Sequence, residues 1–186
     1  MIDTSEFKNG TVFEWDGNIW QVAWFQHHKP GKGGAVMRLK LKNMNTGAII
    51  ERTFKSGEKF REVELIRRKA QYLYSDTEKV HFMDQESFEQ LELEKGTMDG
   101  LADYLMENME VDALYLDGAF LNIQLPASVK LKVKSTVPGV KGDSATNMMK
   151  PATLETGVEI SVPLFIKEGD LVKVDTRTKE YVERVS

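Results

Sequence analysis

Residues 27–35 read His27-His28-Lys29-Pro30-Gly31-Lys32-Gly33-Gly34-Ala35, a run of cations, proline and glycine between two strand-like stretches, 19–25 and 36–41. Glycine stands on both sides of Lys32, so no neighbouring side chain crowds its amine. A lysine is a compact charge on a flexible stem, and its amine is open to covalent modification. Pro30 sets φ for the first central position of a turn, and Gly31 permits positive φ at the second, which places Lys32 near a loop tip. Such a tip can carry a cation into a narrow space lined by RNA. The same residues also suit an ordinary hairpin with a solvated lysine, since Pro-Gly and Gly-Gly are common turn material. A phosphate-binding P-loop does not fit: G-x-x-x-x-G-K-[ST] is required, whereas Gly33 follows Lys32 and Gly31 has no glycine partner five residues earlier.

The next strand carries Arg38, Lys40 and Lys42 on one face, spaced by ~6.6 Å per two residues. A row of cations beside a basic tip can follow a phosphate backbone, or it can be a plain wet strand face. A second cluster, Pro138-Gly139-Val140-Lys141-Gly142-Asp143-Ser144-Ala145-Thr146-Asn147, offers backbone N–H groups and hydroxyls to phosphate or sugar oxygens. It reads equally as a connecting loop.

Other chemistry finds little support. The three histidines, His27, His28 and His81, lack an H-x-x-x-H or H-E-x-x-H spacing, and there is no cysteine, so a metal site is not expected and the histidines read as turn and surface residues. No G-x-S-x-G nucleophile elbow occurs. The acidic pairs Glu92/Glu94 and Asp99/Asp103 read as a solvated acidic face. No catalytic constellation is present, and a non-enzymatic binding protein is expected.

The 186 residues are 41% hydrophobic and 29% charged, a globular composition. No stretch reaches the ~18 apolar residues of a membrane span, and the start lacks a signal-peptide pattern. Without cysteine the chain suits a reducing compartment, so a cytoplasmic address without a membrane is expected, and a monomer is expected alongside it. The net charge of −4 is uneven. Residues 1–65 carry 10 basic and 8 acidic side chains, residues 66–127 carry 5 and 13, and residues 128–186 carry 10 and 8. Two mildly basic ends flank an acidic middle, which leaves room for nucleic-acid contacts at both ends.

Period two dominates. Met37, Leu39 and Leu41 alternate with Arg38, Lys40 and Lys42; Leu121, Ile123 and Leu125 alternate with Asn122 and Gln124. Val129, Leu131 and Val133 alternate with lysines, and Val158, Ile160 and Val162 follow the same rule. Many short half-buried strands predict antiparallel barrels. In 97–109, Leu101, Leu105 and Met109 recur every four residues, which predicts a short helix capped by Thr97 or Asp99. Breaks near 62–65 and at Pro126-Ala127-Ser128 divide the chain into 1–64, 65–127 and 128–186. The expected fold is mainly β, three consecutive small barrels with one short helix in the middle domain.

The loop KPGKGGA at 29–35, the run KPATLETGVEISVPLFIKEG at 150–169, PGVKGDSATN and the closing YVERV together resemble bacterial elongation factor P over the whole chain. Ser144 departs from the family's more usual threonine but keeps the hydroxyl. The resemblance implies a KOW/SH3-like barrel followed by two OB-fold barrels in an L-shaped, tRNA-like arrangement. It implies binding to the 70S ribosome between the peptidyl-tRNA and exit sites and relief of stalling at consecutive prolines. Lys32 would be the tip residue reaching the CCA end, with Lys29, Pro30, Gly31, Gly33 and Gly34 as its loop. A modifying enzyme would extend that lysine; no other cofactor is implied. Gly142, Asp143 and Ser144 would lie near the exit-site codon, and Tyr181 and Arg184 would touch RNA or small-subunit protein. The alternative is a general single-stranded RNA-binding OB-fold protein, for which Trp15, Trp20, Trp24, Phe25 and Phe120 are the stacking candidates.

Overall fold

The computed structural model of the chain describes residues 1–139 and 148–186. Sixteen strands and three short 3-10 turns occur among the described residues, arranged in three successive antiparallel sheets with barrel-like curvature. The first contains β1 (Ile2–Asp3), β2 (Val12–Trp15), β3 (Asn18–His28), β4 (Val36–Asn43), β5 (Ile49–Lys55) and β6 (Lys59–Glu62), in the order β1-β6-β2-β3-β4-β5. Alternation places Met37, Leu39 and Leu41 inside, at 1% exposure or less, against Phe13 and Val22. Phe7, Phe13, Phe54 and Phe60 close one end of this core with ring centroids 4.8–5.8 Å apart.

The second sheet contains β7 (Ile66–Ser75), β8 (Lys79–Asp84), β9 (Gln90–Glu94), β10 (Glu110–Leu116) and β11 (Ala119–Gln124). The third contains β12 (Ser128–Thr136), β13 (Met149–Leu154), β14 (Glu159–Pro163), β15 (Leu171–Asp175) and β16 (Tyr181–Val185). Their orders, β11-β10-β7-β8-β9 and β14-β13-β12-β15-β16, are one topology read from opposite edges. The first strand of each sheet is central, between the second and the fourth. Two domains without sequence repetition therefore share one fold. Their buried residues join into a single apolar cluster, while the first domain keeps its own. Among the described residues no helix is long and apolar enough to cross a membrane.

Two expectations change. The period-four stripe at 97–109 forms no α-helix but part of two 3-10 turns, Lys95–Met98 and Leu101–Tyr104. Asp99 and Gly100 between them both have positive φ, at 50° and 73°, and a right-handed helix cannot pass through two such residues. Leu105 is already extended, yet Met98, Tyr104 and Leu105 still point inward. Asn122, read as a wet-face residue, is 3% exposed. The first domain covers it.

Candidate nucleic-acid interface

The β3–β4 hairpin forms an arm that ends in the Lys32 loop, with ladder pairing up to His28 and Val36. At its base the Ser56 amide donates to the Ala35 carbonyl at 2.9 Å, tying the loop's exit to the turn after β5. Lys29, Gly31, Lys32, Gly33 and Gly34 are all exposed, and Pro30 is half-buried. Among the described residues Lys32 enters none of the ion pairs. The turn differs in detail from the expectation. Positive φ falls on Gly33, at +130°, and not on Gly31. A Cβ on Gly33 would lie 3.7 Å from Pro30 Cγ, while Gly31 and Gly34 face open space. Of the three glycines around the tip, only Gly33 is required by the backbone.

Behind the tip, Arg38 and Lys40 project from the outer face of β4. Arg38 stands between Gln26 and Thr53, and Lys40 between Trp24 and Glu51, in adjacent strands. Lys40 reaches Glu51 at 3.5 Å. Lys42 departs from the expected row of free cations. Its amine is half-buried, and that burial lowers its pKa, with Asp99 opposing the shift and Lys179 adding to it. The second and third domains have closed over the end of the row.

A bulge in β3, between Val22 and Trp24, turns two successive side chains, Ala23 and Trp24, outward. Trp24 is thereby 42% exposed beside Lys40, whereas Trp20 is buried and Trp15, Phe25 and Phe120 are partly buried. Trp24, Gln26, Arg38, Lys40, Arg177 and Thr178 line an open groove between the first domain and the turn after β15. Arg52 and Glu51 line it as well, so four cations and one carboxylate surround one exposed indole, a net positive setting that suits a phosphate backbone with a stacked base. Arg177 was missed from the sequence because nothing local marks which turn of another domain faces this strand.

The other predicted residues fare unevenly. Gly142, Asp143 and Ser144 lie outside the described residues. Tyr181 packs partly buried against the shared core, while Arg184 is exposed, with its guanidinium 5.7 Å from the Phe165 ring and 3.9 Å from Asp170. His27 and His28 are exposed, but His81 is not the surface residue expected. Its Nε2 lies 2.7 Å from Asp76 Oδ2, its Nδ1 lies 3.1 Å from Gln90 Nε2, and its ring stacks on Tyr74 at 4.4 Å. The His81 hydrogen bond, with the Lys79 and Glu78 amides, holds the Asp76 carboxyl well below the usual carboxylate range. Glu92 and Glu94 are exposed on β9, as are Asp99 and Asp103 on their turns. Among the described residues no three His, Asp or Glu side chains converge as a metal site.

Fold and site define a class of protein: a tandem of a KOW-like and two OB-type β domains that carries a basic arm. Three family models match in succession, the elongation factor P KOW-like domain at residues 3–60, its OB domain at 65–123 and its C-terminal domain at 129–184. Elongation factor P of Endomicrobium trichonymphae and that of Moorella thermoacetica are each 52% identical to the chain over 184 residues, 99% of this chain and 100% of theirs. Among solved structures, eukaryotic translation initiation factor 5A from Methanococcus jannaschii aligns with 67% of this chain and 93% of its own at 24% identity and a TM-score of 0.44. The chain belongs to the elongation factor P family and is a ribosome-associated translation elongation factor.

Proposed function

We propose that the protein binds the ribosome between the peptidyl-tRNA and exit sites, and that its arm presents Lys32 to the CCA end of peptidyl-tRNA. Peptide-bond formation at consecutive prolines is thereby accelerated. The observation that carries this reading is the pair Gly31 and Gly34, which have neither positive φ nor a neighbour within 4 Å. The fold gives no reason for glycine there, so the clearance serves something outside the molecule. Proline's fixed φ disfavours productive placement of the nascent chain. A factor that holds the reactive end near attack geometry supplies positioning, worth ~7–11 kcal/mol at the extreme; a tenth of that speeds a reaction several-fold. No proton transfer by the factor is needed, and it acts without being an enzyme. A modifying enzyme extends Lys32 and lengthens its reach, and the protein works as a cytoplasmic monomer.

Lys32→Ala is the test, read in a translation reporter carrying a run of prolines. The variant keeps its fold and loses rescue; rescue at the wild-type level would remove Lys32 from the mechanism. Intact mass of protein from its native host identifies the added group. Trp24 beside Lys40 favours a second reading, general single-strand RNA binding. Affinity for random oligonucleotides rivalling that for ribosomes would support it.

A further inference from the structure

The arm is aimed by a junction at its far end. The turn after β4 is rigid: Asn43 Oδ1 accepts from the Asn45 and Thr46 amides at 2.9 and 3.1 Å, and the Gly47 amide donates to the Asn43 carbonyl at 2.9 Å. Gly47 has φ +75° and sits directly against the second domain. A Cβ built there would fall 2.7 Å from both Cα and the carbonyl carbon of Thr97, and nearer still to its oxygen. Real Cβ atoms do not approach other atoms so closely, and the atoms met here are all backbone, with no flexible side-chain end to move aside. Beside this contact Asn122 Nδ2 donates to the Met44 carbonyl at 2.9 Å, and Met44 is 3% exposed. From the third domain Lys179 Nζ donates to the Asp99 carbonyl at 2.5 Å, two residues beyond Thr97. Contacts from three domains thus fall on the residues that flank this one glycine contact.

From this junction β4 leads to the tip loop over its 8 residues, a lever of at most roughly 26 Å at ~3.3 Å per residue. A tilt of about 5° at the turn moves the far end by ~2 Å over that length, and a misplacement of ~1 Å can cost about 100-fold where positioning is the whole contribution.

We propose that Gly47 is a positioning residue. Its bare Cα lets the first domain seat on the backbone of Thr97, and that seat sets the direction in which the Lys32 arm points. The inference rests on the proposed function, because direction matters only if the tip must reach a fixed partner.

The chain has no cysteine, so a Lys55→Cys/Glu107→Cys pair accepts spin labels without background. Lys55 lies beside Val36 at the arm's end, Glu107 lies in the second domain, and both are exposed. Gly47→Ala is compared with Gly17→Ala, which imposes a similar strained φ, +70°, in the β2–β3 turn with nothing within 4 Å. Gly47→Ala shifts or broadens the inter-label distance and lowers proline-run rescue by at least about tenfold, in line with a misplaced reactive end. Gly17→Ala changes neither. An unchanged distance in Gly47→Ala overturns the inference, and so does a changed distance with full rescue. If Gly47→Ala fails to fold, Asn122→Ala, which loosens the same seam without backbone strain, must broaden the distance and lower rescue. The proposed function fails separately: Lys32→Ala would then rescue like wild type, whatever the distances show.

Discussion

Asn122 Nδ2 and the Met44 carbonyl, 78 residues apart in the chain, meet at 2.9 Å in a buried seam between the first and second domains. The Asn122 Oδ1 is used as well, accepting from the Ile123 amide at 2.8 Å. Asn122→Ala leaves a buried carbonyl and an amide without partners, at a cost of about 1–3 kcal/mol. A lower urea midpoint with an unchanged slope is the expected result. An unchanged midpoint would mean that water replaces the amide without loss.

Asp84 and Tyr115 form a second buried pair, with the phenol donating to Asp84 Oδ2 at 2.5 Å. Burial pushes the Asp84 carboxyl up, but the Tyr115 hydroxyl, the Ser87 and Glu86 amides and Arg68 outweigh it and hold the pKa below its usual value. The stability this brings is present above pH ~4, the unfolded value, and is lost as pH falls through the lower folded value. Burial and then Asp84 push the Tyr115 phenol up to about 12. That stability is full below pH ~10 and is lost as pH rises towards 12. Urea midpoints should therefore fall on both sides of a neutral plateau. Tyr115→Phe lowers the plateau by about 1–3 kcal/mol and reduces the loss above pH ~10, Tyr104, whose pKa burial also raises, keeping its own share.

Gly34 separates stability from function. Its backbone suits other residues and its surroundings are open, so Gly34→Ala leaves stability unchanged or raises it by about 0.4–1 kcal/mol through the unfolded chain. Proline-run rescue nevertheless falls, because the methyl group occupies space that the partner needs. Equal rescue would return Gly34 to ordinary turn chemistry. Gly33→Ala, at φ +130°, lowers stability and rescue together.

The cations of β4 differ in what salt does to them. Arg38 and Lys40 are exposed, so Arg38→Ala and Lys40→Ala each reduce the slope of log affinity against log salt by about 1 for ribosome binding. Lys42→Met leaves that slope unchanged. Since burial lowers the folded pKa of Lys42, the charged amine is less favoured in the folded state, and its replacement raises stability at neutral pH. Equal slope changes for all three residues would mean that the seam opens on binding.

What the sequence determined by itself follows from single strands. Alternation records which side of a strand faces its own core, so Met37, Leu39 and Leu41, or Val129, Leu131 and Val133, could be placed without coordinates. The glycine-flanked Lys32 was legible because glycine and proline act through local φ, and the family was legible from runs spread along the whole chain. The positive φ went to Gly33 because a loop of several residues has more than one way to close. Tertiary structure decided what covers the wet faces. A bulge put Trp24 outside, the first domain buried Asn122, and Lys42 was taken out of the basic row. Gly47 met Thr97 across 50 residues that carry no sign of the contact. Period two distinguishes inside from outside for one sheet, but it holds no information about a neighbouring sheet that packs against the outside.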